Sequence, residues 1–597
     1  MCGIAGIVDN KRGSELNHKE LLDMLGAIKH RGPDASGVYN FEKFYIGHNR
    51  LSIIDLNSRS DQPFKFGSLV ITYNGEVYNY IEIRKELENK GHVFKTASDT
   101  EVILHAYFEW GSDCVKRFVG MWAFAILDTE KGEMFFSRDR FGIKPLYYLF
   151  KDQSLIFSSE IKALKKTAYF QSDLNVAQVA RYLQLGWIGY YDETFFEHVS
   201  SLPAGHNMIY KNGKVEVFRY YDIEIDSNRS NYTYEDNVQH FKELFLNSID
   251  LHLRSDEEIA TCLSGGIDSS AIVGSVCNLR PEIKYDSFSI YYTGEGTVDE
   301  RPFIREVIKK YPNVNPNYYQ PSYDEVASNF EKALYFQDVP PSSSSFISQY
   351  FLMKLISEKG IKVVLDGQGS DEYLAGYMHS FYRLIGGHFR KFNFRQGYNE
   401  LKLSNANRGG SSKIMSEFLK SMLSVLFDEQ ELYGLEYRYY HPKMTKYKGA
   451  VPFNLKKASS DKLDNFLYHL CFNTSLPNLL HYEDSNSMAF SVESRVPFLD
   501  HRLVEFTFSL DNESKIFNGV TKRILRDAMK GIIPDSVYHR KDKKGFVTPG
   551  LEKWGDLFEG LKRDENVEDS KLTSFDFLIR NAVEGFRYKT FIKCFQN

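Results

Sequence analysis

Cys2 is the first residue whose chemistry depends on its place in the chain. Removal of Met1 would leave a thiol and a free α-amine on one residue. An α-amine titrates near pH 8 and can take the thiol proton, which makes a nucleophile without a histidine. Four polar segments supply what a thiol acting on glutamine needs: His30-Arg31-Gly32-Pro33-Asp34, Arg50 to Asp55, Tyr73 to Asn79, and Ser98-Asp99-Thr100-Glu101. Arg50 offers a planar fork for the α-carboxylate. Asp99 and the Glu76 carbonyl can receive the α-ammonium. The Asn74 side-chain N–H and the Gly75 backbone N–H can form an oxyanion hole. Each piece alone is weak, and a small cysteine at a strand start is more often a buried hydrophobe.

A second group follows later. Cys262-Leu263-Ser264-Gly265-Gly266-Ile267-Asp268-Ser269-Ser270 lies between a strand and a helix. Its glycines let the backbone approach an anion, and successive N–H groups at a helix start favour phosphate. The spacing is not that of a Walker loop. Another turn, Leu365-Asp366-Gly367-Gln368-Gly369-Ser370-Asp371-Glu372, also follows a strand. Both would project from strand C-terminal ends, where ligands bind in open α/β sheets. Asp268 and Asp371 would supply oxygen ligands for Mg²⁺.

Two kinds of fold must position these groups. The first two hundred residues carry short apolar or alternating runs: Phe44–Ile46, Leu69–Tyr73, Met121–Leu127, Met134–Phe136 and Leu155–Phe157. They read as strands, with helical spacing at Lys19–Lys29 and Asp99–Trp110. This predicts an α+β unit of stacked sheets. A strand pair around Lys211-Asn212-Gly213-Lys214 spans Tyr210 to Ile225, and a polar stretch follows at 226–231. Then strand and helix alternate: helix Glu235–Leu253, strand Ile259–Leu263, helix Ser269–Leu279, strand Tyr285–Tyr291, helix Ser348–Lys359 and strand Ile361–Leu365. Alternation predicts a parallel sheet with helices on its faces. From Leu374 onward the pattern is mostly helical.

The 597 residues are ordinary in composition, 42% apolar and 26% charged. Lys and Arg number 74 against 79 Asp and Glu, a net charge of −5 that gives no footprint for nucleic acid or a membrane surface. No signal peptide or membrane-length apolar run is visible. The six cysteines form no CxxC pair, so the expected location is the cytoplasm. The histidines show no metal-binding spacing.

The N-terminal motifs resemble those of class II glutamine amidotransferases, N-terminal-nucleophile hydrolases with a stacked αββα core. Cys2-Gly3-Ile4, Arg31-Gly32-Pro33-Asp34, Arg50-Leu51-Ser52, Asn74-Gly75-Glu76 and Ser98-Asp99 match in order. Arg138 to Tyr148 and Ser158-Ser159-Glu160 match the end of that domain in one branch. Ser264 to Ser270 resembles the ATP pyrophosphatase loop. With Ser491 to Asp500 and Lys522 to Arg526, the chain is similar to glutamine-hydrolysing asparagine synthetases from Cys2 to about Trp554.

The resemblance implies glutamine hydrolysis at Cys2, with Arg50, Leu51, Ser52, Ile53, Ile54, Asn74, Gly75, Glu76 and Asp99 holding glutamine. It implies that Leu263, Ser264, Gly265, Gly266, Asp268, Ser269, Ser270, Ile290, Asp366 and Gly367 bind ATP. Lys522 would stabilise the adenylation transition state, and Gln368 would occupy the position tied to intermediate formation. Ammonia would reach an acyl-adenylate through a tunnel. The implied architecture is an N-terminal αββα domain at 1–210, a linker at 211–234, and at 235–597 an adenine nucleotide alpha hydrolase-like α/β domain with a helical C-terminal part. Partners would be small molecules, with no nucleic acid or membrane, and a homodimer is one assembly it allows.

Two departures concern the acceptor. The aspartate-using branch reads Ser-Gly-Glu-Gly-Ser-Asp-Glu where this chain has Asp366 to Glu372, so an amide replaces a carboxylate at Gln368. That branch also carries Thr-Thr-Ile-Arg where this chain has Pro340-Pro341-Ser342-Ser343-Ser344-Ser345. Aspartate remains the first expectation. A sugar uronate amidated by the same chemistry is the alternative, and a non-catalytic scaffold is a third reading. His481 and Arg495 are candidates to face the acceptor, Lys543-Lys544-Gly545-Phe546 to approach phosphate, and residues 377–448 to serve acceptor recognition or subunit contact.

Overall fold

The computed structural model describes residues 2–9, 11–225, 232–293, 299–407, 414–440, 453–541 and 582–596. Two six-stranded antiparallel sheets build the N-terminal domain. In the first, Gly3–Val8 lies between Ser154–Ser158 and Phe44–Arg50, which places Cys2 at the entry of a central strand. In the second, Leu69–Val77 pairs with Gly120–Asp128 in full register, Asn74 opposite Ala123 and Gly75 opposite Trp122. Inward side chains of both sheets, among them Ile4, Ile46, Val70, Ala125, Phe136 and Phe157, interdigitate in one core. Helix Ser14–Ala27 covers the outer face of the first sheet, and helices Tyr80–Asn89 and Asp99–Trp110 cover the second. The result is the expected αββα stack.

Helix Asp99–Trp110 starts where the sequence placed it, because the Ser98 side chain accepts the Thr100 N–H. Ser14–Ala27 begins earlier than the spacing predicted; its exposed Leu16 and Leu22 blur the apolar period. The linker expectation needs correction. Asn212, at φ +52°, and Gly213, at +71°, form a tight hairpin turn. It returns Lys214–Arg219 onto His206–Lys211 as the edge of the second sheet, so these residues belong to that sheet and not to a connector.

The second domain holds a five-stranded parallel sheet in the order Val314–Tyr319, Tyr285–Ile290, Ile259–Cys262, Val363–Leu365, Glu493–Arg495. Chain order reverses at Ile259–Cys262, so a crevice opens between the ends of that strand and Val363–Leu365. Both glycine-rich turns leave from those two ends. The three-residue strand Glu493–Arg495 was not legible as a strand, because its partner in the sheet, not its composition, defines it. Among the described residues no helix is long and apolar enough to cross a membrane.

The domains share cores. Leu51, Ile53, Tyr78, Met121 and Phe141 pack in one cluster with residues of the parallel-sheet domain, including Ile249 and Leu499.

Candidate active sites

Cys2 is buried, and burial pushes its thiol up. Its Sγ lies 3.9 Å from the Leu51 carbonyl, and its backbone N–H donates to Asn74 Oδ1 at 3.0 Å. That bond fixes the amide of Asn74 so that Nδ2 is left buried with no hydrogen-bond partner among the described residues. Gly75 is required by geometry. Its φ is +151°, and a Cβ there would meet the Met121 carbonyl oxygen at 2.1 Å.

The motif segments converge around this centre. Arg31, fully buried, donates from Nε to the Cys2 carbonyl at 3.0 Å. Gly32 lies so close to the next strand that a Cβ would meet Asn49 O at 2.3 Å. Asp34 accepts the Ser52 N–H at 2.8 Å, which ties this turn to the segment after Arg50. Asp99 accepts from Tyr73 Oη at 2.9 Å and Val77 N at 3.0 Å. Burial raises its carboxyl to about 6. The buried Glu76 carboxyl is raised as well, first by burial and then by Asp99 and Glu493. Arg50 is held by the loop that follows it: Nη1 donates to Asn57 O at 2.9 Å and Asp61 Oδ1 at 2.7 Å, and Nη2 to Asp55 O at 2.5 Å. A glutamine carboxylate would compete with Asp61 for this fork.

The second site is a cavity of about 500 Å³, large enough for a nucleotide and a small acceptor. Leu263, Ser264, Gly266, Asp268, Ser269, Ile290, Asp366, Gly367, Gln368, Asp371 and Lys522 all line it. Gly265 and Ser270 do not: the Gly265 carbonyl accepts from Arg540 at 3.2 Å, and Ser270 is buried behind the helix start. Helix Ile267–Leu279 points its N-terminus at the cavity, and its free N–H groups favour anions.

Lys522 holds the floor. Its Nζ lies 2.7 Å from both Asp268 oxygens, 2.7 Å from Asp371 Oδ1 and 2.9 Å from Ser370 Oγ. Burial opposes its charge, yet the two aspartates outweigh it and raise its pKa. Its backbone is left-handed, at φ +55° and ψ 36°, a strained conformation for a residue with a side chain. Gly376 allows the approach: a Cβ there would meet Asp371 Oδ1 at 1.7 Å and Lys522 Cε at 2.7 Å.

Other expectations fall elsewhere. His481 hydrogen-bonds Gln337 O at 2.8 Å and does not line the cavity. Arg495 is fully buried between the domains, bonded to Glu493 and to the His252 and Arg254 carbonyls, with Glu76 at 3.9 Å. Lys541 lines the cavity, while Lys543 to Phe546 lie outside the described residues.

Asp484 and Glu483, which sequence reasoning passed over, join residues of the matched motifs to the second site. Arg31 Nη1 bonds both Glu160 and Asp484 at 2.9 Å, and Lys144 lies 3.7 Å from Asp484. Asp484 sits on helix Ser475–Met488, beside Glu483, whose side chain hydrogen-bonds Asp366. Asp366 N in turn donates to Arg495 O at 2.9 Å. No spacing signal marks contacts that span hundreds of residues.

Comparison with known proteins agrees with this division. A glutamine amidotransferase domain model matches residues 1–221, and an asparagine synthase model matches 240–589. Asparagine synthetase [glutamine-hydrolyzing] 3 of Bacillus subtilis is 29% identical, covering 96% of this chain and 91% of the relative. Asparagine synthetase [glutamine-hydrolyzing] 1 of the same organism is 30% identical over 93% of this chain and 88% of the relative. Amidase chyE of Penicillium rubens, a relative under another name, is 27% identical over 99% and 95%. A nucleophile domain of αββα build, followed by a nucleotide crevice at a parallel-sheet switch point, carries both matched models in order, so the chain belongs to the asparagine synthetase family of ATP-dependent, glutamine-hydrolysing ligases.

Proposed function

We propose that the chain hydrolyses glutamine at Cys2 and uses the ammonia to amidate a carboxylate that ATP has activated as an acyl-adenylate. The observation that carries this reading is the convergence of Asp268, Asp371 and Lys522 beneath a helix N-terminus in a nucleotide-sized cavity. In the first half-site, the Cys2 α-amine takes the thiol proton, the thiolate attacks the glutamine amide carbon, collapse breaks the C–N bond and releases ammonia with the proton the amine held, and water then cleaves the thioester to glutamate. Asn74 Nδ2 and the Gly75 N–H receive the oxyanion. Arg50 and Asp99 hold the two ends of the amino acid. In the second, the cradle at Ser264–Ser270 orients ATP so that the acceptor carboxylate meets the α-phosphorus, and Lys522 neutralises charge as pyrophosphate departs. Asp268 and Asp371, which share one cation at 2.7 Å, are the residues that would hold Mg²⁺. Bound there, Mg²⁺ would supply further charge neutralisation on the phosphates.

Aspartate is the first acceptor to try. A second reading, a hydroxylated carboxylate such as a sugar uronate, has its own support. The segments from 343 to 482 give the cavity Ser343, Ser345, Gln349, Gln368, Tyr377 and Tyr482 beside Asp366 and Asp371, while its Arg and Lys lining residues come from other segments. A dicarboxylic amino acid wants a guanidinium for its far end; hydroxyls and amides suit a sugar. Pyrophosphate release with Mg-ATP and ammonium, run with aspartate and with uronates and followed by product mass, decides between them. Asparagine formed in step with pyrophosphate assigns aspartate. Release with no acceptor tried would sink the adenylation reading.

The glutamine site carries a pH expectation. Asp99 must be ionised to receive an ammonium, and its carboxyl titrates at about 6. KM for glutamine is expected to rise about tenfold per pH unit below that value. The ammonium-dependent reaction should not show this limb, and Asp99→Asn should give a high KM without it. A KM flat from pH 5 to 8 would remove Asp99 from this role.

A further inference from the structure

Gln368 cannot accept a proton near neutral pH, yet amide formation leaves a proton to be removed. The same turn holds a carboxylate two residues earlier. Asp366 lines the cavity with Gly367 and Gln368. Its Oδ1 accepts the Gly367 N–H at 2.5 Å. Behind it, away from the cavity lining, stands Glu483, which is 3% exposed and hydrogen-bonded to the Asp366 side chain. Glu483 is itself fixed: Ser494 Oγ donates to Oε1 at 2.5 Å, and Gln349 Nε2 donates to the other oxygen.

Asp366, half-buried at the cavity wall, and the buried Glu483 share a side-chain hydrogen bond, and two carboxyls can share one only with a proton held between them. Burial raises both, and the charge of Asp366 raises Glu483 further. Other facing groups are the Cys262 thiol, which hydrogen-bonds Asp366, Asp268, whose charge also raises Asp366, and Lys144, which attracts Glu483. The pair therefore rests as neutral Glu483 donating to ionised Asp366, with an Asp366 lone pair left for the cavity.

We propose that Asp366 is the proton acceptor for the amine nucleophile in the amide-forming step and that Glu483 is the residue that positions it. The proposal rests on the adenylate chemistry above. The ammonia lone pair forms a C–N bond to the acyl carbon, and the nitrogen becomes positive. Collapse breaks the acyl C–O bond, AMP leaves with that electron pair, and the surplus nitrogen proton passes to Asp366. The carboxylate that Gln368 lacks is thus supplied from the same turn by a different residue.

The test uses the full chain with Mg-ATP and whichever acceptor the wild type accepts. It reads acceptor-dependent exchange of labelled pyrophosphate into ATP, which reports adenylation, and amide formation from ammonium. In Asp366→Asn, amide formation should fall about 100-fold further than exchange does. Adding Gln368→Glu to that variant should recover at least about tenfold of the amide rate. Glu483→Ala removes the donor that keeps Asp366 acidic, so the acid limb of amide formation should move to higher pH while that of exchange stays. Glu483→Gln, which still donates, should move the limb back. Equal loss of exchange and amide formation in Asp366→Asn, or an unmoved limb in a folded Glu483→Ala protein, overturns the proposal. Absence of exchange in the wild type with every acceptor overturns the adenylation reading itself, a distinct result.

Discussion

Cys2→Ala should abolish glutamine-dependent amidation, by on the order of 10⁴-fold or more, and leave ammonium-dependent amidation within about twofold. The size follows from the chemistry, since an alanine methyl has no lone pair with which to attack the amide. The side chain is small and Ala fills its place without strain, so folding is not at issue. The Asn74 Oδ1 contact is to the backbone N–H of residue 2 and survives the substitution. The proposed oxyanion donors therefore persist, and the variant should bind glutamine without turning it over. The same logic makes Met1 a switch. While Met1 is attached, the nitrogen of Cys2 is an amide and has no basic lone pair. A preparation that retains Met1 should match Cys2→Ala with glutamine and match the processed enzyme with ammonium. Full glutamine turnover by a protein shown by mass to retain Met1 would refute the α-amine as base.

Much of this site was legible in the sequence because local geometry demands particular residues. Gly75 tolerates no Cβ beside Met121 O, Gly32 none beside Asn49 O, and Ser98 caps the helix that carries Asp99. Such demands leave short motifs in fixed order. The hairpin at Asn212-Gly213 was legible too, with both of its strands, but not that its return strand closes the edge of the second sheet. What could not be read is what the fold creates across distance. Arg31 meets Asp484, 453 residues later, through a buried ion pair. Glu493–Arg495 becomes a strand only because Val363–Leu365 lies beside it. Glu483 looks like one more acid on a helix until Asp366 is placed against it. Arg495 is recognisable as part of a motif, yet its role in holding the interdomain boundary, and not the acceptor, depends on the carbonyls of His252 and Arg254.

Lys522→Ala should reduce pyrophosphate release by about 10²–10³-fold with either nitrogen source and leave glutamine hydrolysis by Cys2 in place. This Nζ is buried, bonded to both candidate metal ligands, and carried on a left-handed backbone. Lys522 is the buried member of this cluster and Asp268 and Asp371 are half-buried, so its loss leaves two carboxylates without their cation and lowers stability. The variant therefore confounds catalysis with stability unless a second substitution separates them. Lys522→Arg keeps the charge, but its planar fork places it at different points from a compact ammonium. It should restore thermal stability toward wild type while leaving most of the rate loss. Raising Mg²⁺ should stabilise the Ala variant more than the wild type, since Asp268 and Asp371 are then free of the competing ammonium. If Lys522→Arg recovers rate and stability together, Lys522 serves as a structural counter-ion and the phosphates are neutralised by other cavity cations such as Arg526 or Arg540. If stability returns without rate, the ammonium itself acts on the leaving pyrophosphate.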